Sequence, residues 1–298
     1  MSGLATLRFK LMFAWVYLLR ITLSYAAGNN VAAKTIALIH PRIPRQKKAF
    51  IAGLEKIFPE RKTVEKAWNR HKLLVGLTRF QGSFYAQKNT SWINQCEVDI
   101  EGAEYVREYY AQHKGVLVMT YHHHLNMLFC NLLGRLTLPV TTIAMDAQDN
   151  QQYQKFSGRV SRIYEHAQNH LNGGDIILVK PRRMMRSILR AFEKSHLVIS
   201  ANDFPEVFDD KNRKEFSFLN TVLSCPTGTV KLAVKKKIPI VAAYLNWLGG
   251  SRFELVIKPV SDGNDELKVK DAMQRYLTVL EQAVQKQPGI WEGWKWIK

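Results

Sequence analysis

Three consecutive histidines, His122, His123 and His124, stand where an apolar run gives way to a helical one, in residues 115–135, GVLVMTYHHHLNMLFCNLLGR. Residues 115–120 read as a short, fully apolar strand. After Tyr121, the apolar residues Leu125, Leu128, Phe129, Leu132 and Leu133 recur at helical spacing. Titratable side chains therefore sit at a strand's carboxyl end, the edge at which α/β proteins bind ligands. Histidine is the side chain best suited to accept a proton near neutral pH. His122 is the best-placed candidate for a general base. A metal is not expected: even in an extended chain only His122 and His124 share a face, and no second cluster of His, Cys or carboxylates stands at ligand spacing.

Other residues could bind an anion. Lys180, Arg182, Arg183, Arg186 and Arg190 form the sharpest basic cluster, with members on successive turns of one helix. Guanidinium forks match phosphate oxygens, although a solvated helix face has the same composition. Thr227, Gly228 and Thr229 open a helix whose first N–H groups could receive an anion or an oxyanion, and the same residues serve as an ordinary N-cap turn. Asp203 ends an apolar strand in the tripeptide AND. It either caps its own turn or shares the strand-end surface with His122.

The elements around these residues follow from periodicity. Residues 30–92 read as all helix, broken at Pro41 and Pro44, with helical spacing over 46–58 and 62–84. From Cys96 short strands alternate with helices. Strands are expected at 96–100, 116–119, 139–144, 175–179, 196–201, 239–244 and 253–260. Helices are expected at 103–113, 124–135, 153–171, 184–193, 228–236 and 268–285. That alternation predicts an α/β fold with a mostly parallel central sheet flanked by helices. The 298 residues divide into a helical region, 1–92, and an α/β domain, 93–298. The three cysteines, Cys96, Cys130 and Cys225, are widely spaced and fit free thiols in a reducing compartment.

Charge narrows the partners. The net charge is +18, and residues 1–90 hold sixteen Lys and Arg against three Asp and Glu. Such a surface attracts nucleic acid, an anionic bilayer or an acidic protein. No motif of a known nucleic-acid-binding module is present, so nucleic acid is not expected. The run LMFAWVYLL, residues 11–19, falls short of the roughly 20 apolar residues of a membrane span. Residues 4–27 are expected to form an amphipathic or barely spanning anchor at a lipid interface.

Four blocks together resemble the lipid A late acyltransferases, within the bacterial lysophospholipid acyltransferase superfamily. They are the strand-to-helix His122 after GVLVMTY; residues 174–203, GDIILVKPRRMMRSILRAFEKSHLVISAND; residues 226–244, PTGTVKLAVKKKIPIVAAY; and residues 288–298, PGIWEGWKWIK. The resemblance implies a transferase on the cytoplasmic face of an inner membrane. It would move an acyl group from the phosphopantetheine thioester of an acidic acyl carrier protein to a hydroxyl of a lipid A-type acceptor, with no other cofactor. The basic helix with Arg182 to Arg190 would then meet lipid phosphates or the phosphopantetheine arm. In that family the base belongs to a His-x-x-x-x-Asp/Glu motif, whereas here the residue five beyond His122 is Met127, which marks a divergent member. Three readings stay open: Asn126 orients His122, a carboxylate such as Asp203 arrives from another strand end, or the ancestral activity is lost. A divergent site also suits transfer of an amino acid such as glycine, or a degenerate relative that only binds lipid.

Overall fold

A computed structural model describes residues 3–39, 44–85, 91–112, 115–146, 157–179, 184–203, 213–264 and 266–297. Its centre is a seven-stranded sheet. The strands are β1 (Glu97–Glu101), β2 (Val116–Thr120), β3 (Val140–Ala144), β4 (Ile176–Leu178), β5 (Leu197–Ala201), β8 (Ile240–Gly249) and β9 (Arg252–Ser261), in the order β1-β9-β8-β2-β5-β3-β4. All neighbours are parallel except the hairpin pair β8 and β9. β2 lies mid-sheet with every residue buried, as its unbroken apolar run demands. β1, at the sheet edge, alternates exposed and half-buried residues.

Helices α5 (Ala103–Gln112), α6 (Asn126–Leu133), α7 (Ser157–Gln168), α8 (Met184–Glu193), α9 (Gly228–Lys235) and α10 (Val269–Lys286) flank this sheet. The mostly parallel α/β architecture and the alternation from residue 96 onward are as expected. α8 has the expected bounds because Met184, Ile188, Ala191 and Phe192 form one buried stripe. A second, two-stranded sheet was not expected: β6 (Arg213–Phe218) and β7 (Thr221–Pro226) pair antiparallel. Their turn carries Leu219 and Asn220 at positive φ (48° and 59°), a hairpin geometry that Leu advertises poorly.

The amino-terminal helices are α1 (Gly3–Thr22), α2 (Tyr25–Ile39), α3 (Pro44–Ile57) and α4 (Arg61–Tyr85). The expected anchor over 4–27 is two helices, because the chain turns between Thr22 and Tyr25 and Tyr25 is buried. Among the described residues no helix is long and apolar enough to cross a membrane.

The amino-terminal layer is more than an appendage. α2 packs on α4, where Gly76 lets the backbone of Ala32 and Ala33 approach. Asn29 of α2 donates to Gly250 O at 2.9 Å, tying this layer to the turn between β8 and β9. α3 meets the carboxyl-terminal segment so closely that a Cβ on Gly53 would lie 1.9 Å from Trp294 O. Phe58 stacks edge-on against Trp294, ring centroids 5.8 Å apart. Residues 291–294 are thereby wedged between the amino-terminal helices and the carboxyl ends of β2 and β5.

Candidate active site

β2 and β5 are adjacent and parallel, with Thr120 opposite Ala201. Two residues further along each strand stand His122 and Asp203, so sheet register alone brings them side by side. In the strand order, β2 is followed in this sheet by β3, which lies beyond β5, whereas β5 is followed by β8, which lies beyond β2. Strand ends whose connections run in opposite directions form the crevice where α/β proteins place ligands.

Asp203 is fully buried, whereas the His122 side chain is 31% exposed. The His122 backbone N–H donates to both carboxylate oxygens, at 3.0 and 2.9 Å. His122 Nδ1 lies 2.7 Å from Asp203 Oδ1. Trp291 Nε1–H donates to Asp203 Oδ2 at 2.8 Å. A carboxylate that accepts from three N–H groups is held ionised. Burial alone would raise its pKa, but the charge and hydrogen bonds of His122 outweigh burial and leave Asp203 below its ordinary value.

The converse holds for His122. Burial lowers its pKa, and the neighbouring Asp203 charge and hydrogen bond more than reverse this. Glu292 adds to the upward shift and Lys295 opposes it, leaving the imidazole above its ordinary value. With the carboxylate accepting at Nδ1, the Nδ1–H tautomer is fixed and Nε2 becomes the nitrogen that accepts a proton. An imidazole held in one tautomer by a buried carboxylate is the arrangement of a general base whose protonated form is stabilised.

The other two histidines differ. His123 is buried, its Nδ1 accepts from Leu125 N–H at 3.1 Å, and burial pushes its pKa down to about 3. It stays neutral and structural. His124 lies between two partners, with Nδ1 3.1 Å from Glu292 Oε1 and Nε2 3.1 Å from His71 Nδ1. Thr78, also on α4, donates to His124 O at 2.7 Å. Among the described residues no group of three or more His, Cys, Asp or Glu is placed to hold a metal ion.

Asp203 occupies the place that the open readings left for an orienting group. Asn126 does not: it begins α6, and its buried Oδ1 has no hydrogen-bond partner among the described residues. The Thr227–Gly228–Thr229 turn buttresses the strand end. Thr229 Oγ1 lies 3.1 Å from Ser200 Oγ and accepts from Asn202 Nδ2 at 3.0 Å, and Asn202 immediately precedes Asp203. Thr227 is buried, and the space where a Gly228 Cβ would stand is open. Arg186 and Arg190 are exposed one turn apart on the outer side of α8. Lys180, Arg182 and Arg183 lie outside the described residues.

Sequence reasoning missed Trp291, Glu292 and His71. The closing block 288–298 stood out by composition, but nothing in it showed which element its Trp and Glu would meet. Trp291 and Asp203 are 88 positions apart in the chain. No individual curated protein matches this sequence. The family model for bacterial lipid A biosynthesis acyltransferases matches residues 6–298, and the chain belongs to that family.

Proposed function

We propose that this protein transfers an acyl group from a carrier-protein thioester to a hydroxyl of a lipid A-type glycolipid, with His122 as general base. The observation that carries this reading is the His122–Asp203 pair at adjacent strand ends, 2.7 Å apart. His122 Nε2 takes the acceptor hydroxyl proton as that oxygen attacks the thioester carbonyl carbon. The tetrahedral oxyanion then collapses, the carbon–sulfur bond breaks, and the imidazolium returns the proton to the leaving thiolate. Asp203 keeps Nε2 unprotonated at the start and stabilises the imidazolium between the two steps. N–H groups at the start of α9, from Gly228 onward, would receive the oxyanion. Arg186 and Arg190, with Arg182 and Arg183, are assigned to phosphates of the acceptor or of the phosphopantetheine arm.

Purified protein with a lipid A-type acceptor tests the donor. A fatty acyl thioester on acyl carrier protein should yield product, and the same acyl group on a carrier-free thiol should yield far less. Product only from an aminoacyl carrier thioester would move the donor to an amino acid, and binding without turnover would leave a lipid-binding relative.

The amino terminus supports work at a bilayer. Leu11, Leu18 and Ile21 stand 61%, 45% and 59% exposed on one stripe of α1, while Val16 and Leu19 face the core. An apolar stripe on the most basic part of the chain suits an anionic membrane surface, here the cytoplasmic face of the inner membrane. Burying a Leu or Ile side chain is worth about 1.5–3 kcal/mol. Leu18→Gln and Ile21→Gln, which remove the apolar contact without adding charge, should each weaken binding to anionic vesicles by roughly tenfold in a sedimentation assay. Unchanged binding in the double variant would remove α1 as the anchor.

A further inference from the structure

A further cluster of titratable groups adjoins the His122–Asp203 pair: His71, His124 and Glu292. The three come from distant parts of the chain, namely helix α4, the loop after β2, and the carboxyl-terminal segment. Glu292 touches the loop that carries the base at two points. Its backbone N–H donates to His122 O at 3.0 Å, and its carboxylate grips His124, two residues beyond His122, at 3.1 Å. His124 in turn is held by His71, with 3.1 Å between the facing nitrogens and the rings edge-on at 4.6 Å. His71 is itself fixed, stacked on Trp68 at 5.2 Å and against Phe50 at 4.3 Å.

We propose that Glu292 is a second acidic positioning residue for His122, anchored by the His124–His71 pair. The proposal rests on His122 being the general base. The Glu292 carboxylate accepts from His124 Nδ1–H, which leaves Nε2 of the neutral ring to accept from His71 Nδ1–H. That chain clamps the carboxylate against the loop that carries His122. The groups facing His122 are then Asp203 from the end of β5, Glu292 and Lys295 from the carboxyl-terminal segment, and His123 and His124 from its own loop. Of the two carboxylates, Asp203 bonds the ring directly, and Glu292 holds the backbone and contributes charge at the rim. The negative charge of Glu292 favours imidazolium over imidazole, opposing Lys295. Its side chain is 34% exposed, so solvent screens that influence below that of the buried Asp203.

The variant Glu292→Gln keeps the shape and the backbone N–H but removes the charge. It should lower kcat by roughly fivefold with KM little changed, as expected for a base that is slightly misplaced. Its ascending limb of kcat against pH should move to lower pH, because His122 loses a stabilising charge, and Glu292→Asp should restore part of the shift. His124→Gln, which releases the carboxylate from its anchor, should move the limb in the same direction and serves if Glu292→Gln fails to fold. Profiles of both variants that superimpose on that of the unaltered protein would overturn the role of Glu292. His122→Ala separates this from the parent reading: full activity in that variant would sink the base assignment itself.

Discussion

His122→Ala should lower the rate of acyl transfer by about a thousandfold, the middle of the range for a positioned general base. Folding should survive, since the ring is partly exposed and packs beside Trp296 at the rim rather than in the core. The backbone N–H to Asp203 and the backbone carbonyl bond to Glu292 both persist in alanine. A cooperative unfolding transition lowered only modestly, by loss of the Nδ1–H bond to Asp203, beside a collapsed rate would show that chemistry, not structure, has been lost. An acceptor KM that barely moves would show that His122 acts in the transition state more than in binding. Retention of more than a tenth of the rate would mean that another group takes the proton.

Asp203→Asn should cost as much or more, about three to four orders of magnitude, by analogy with the orienting acid of a serine protease triad. Asp203 accepts from the His122 N–H, from Nδ1–H and from the Trp291 N–H. An amide presents one accepting oxygen and one donating nitrogen to those same groups. Either a buried N–H is left facing another N–H, or the imidazole turns its proton to Nε2 and can no longer accept there. The first outcome costs about 1–3 kcal/mol of stability and the second costs catalysis. The pH dependence separates the two. The base works when neutral, so activity rises with pH through the His122 pKa, which Asp203 holds above its ordinary value. Without the carboxylate the residual activity should rise at lower pH, toward a much reduced plateau. A midpoint unchanged from the unaltered protein would mean that Asp203 acts on packing alone.

Much of the fold was legible because the signals are local. The buried run 116–120 could only be a central strand, and the stripe from Met184 to Phe192 could only be a helix with one face inside. Where a polar residue sits inside an element, legibility failed. β8 continues five residues past the expected end at Tyr244 because Asn246 is buried and donates to Glu254 across the hairpin, at 2.8 Å. The same limit applies to the site. His122 could be singled out from its position at a strand end, and Asp203 stood among the open partners. The choice among them needed the strand order, which sets β5 beside β2 although β3 and β4 intervene in the chain. Trp291, Glu292 and His71 depend on how the two ends of the chain meet at the carboxyl ends of the strands, and no periodicity encodes that.

The most direct test is the mass of lipid A from cells that carry this gene, lack it, or carry the His122→Ala version. His122-dependent acyl transfer requires a gain of one fatty acyl group in the first strain only. A lipid A unchanged in all three strains, or a gain that persists with alanine at 122, would contradict it.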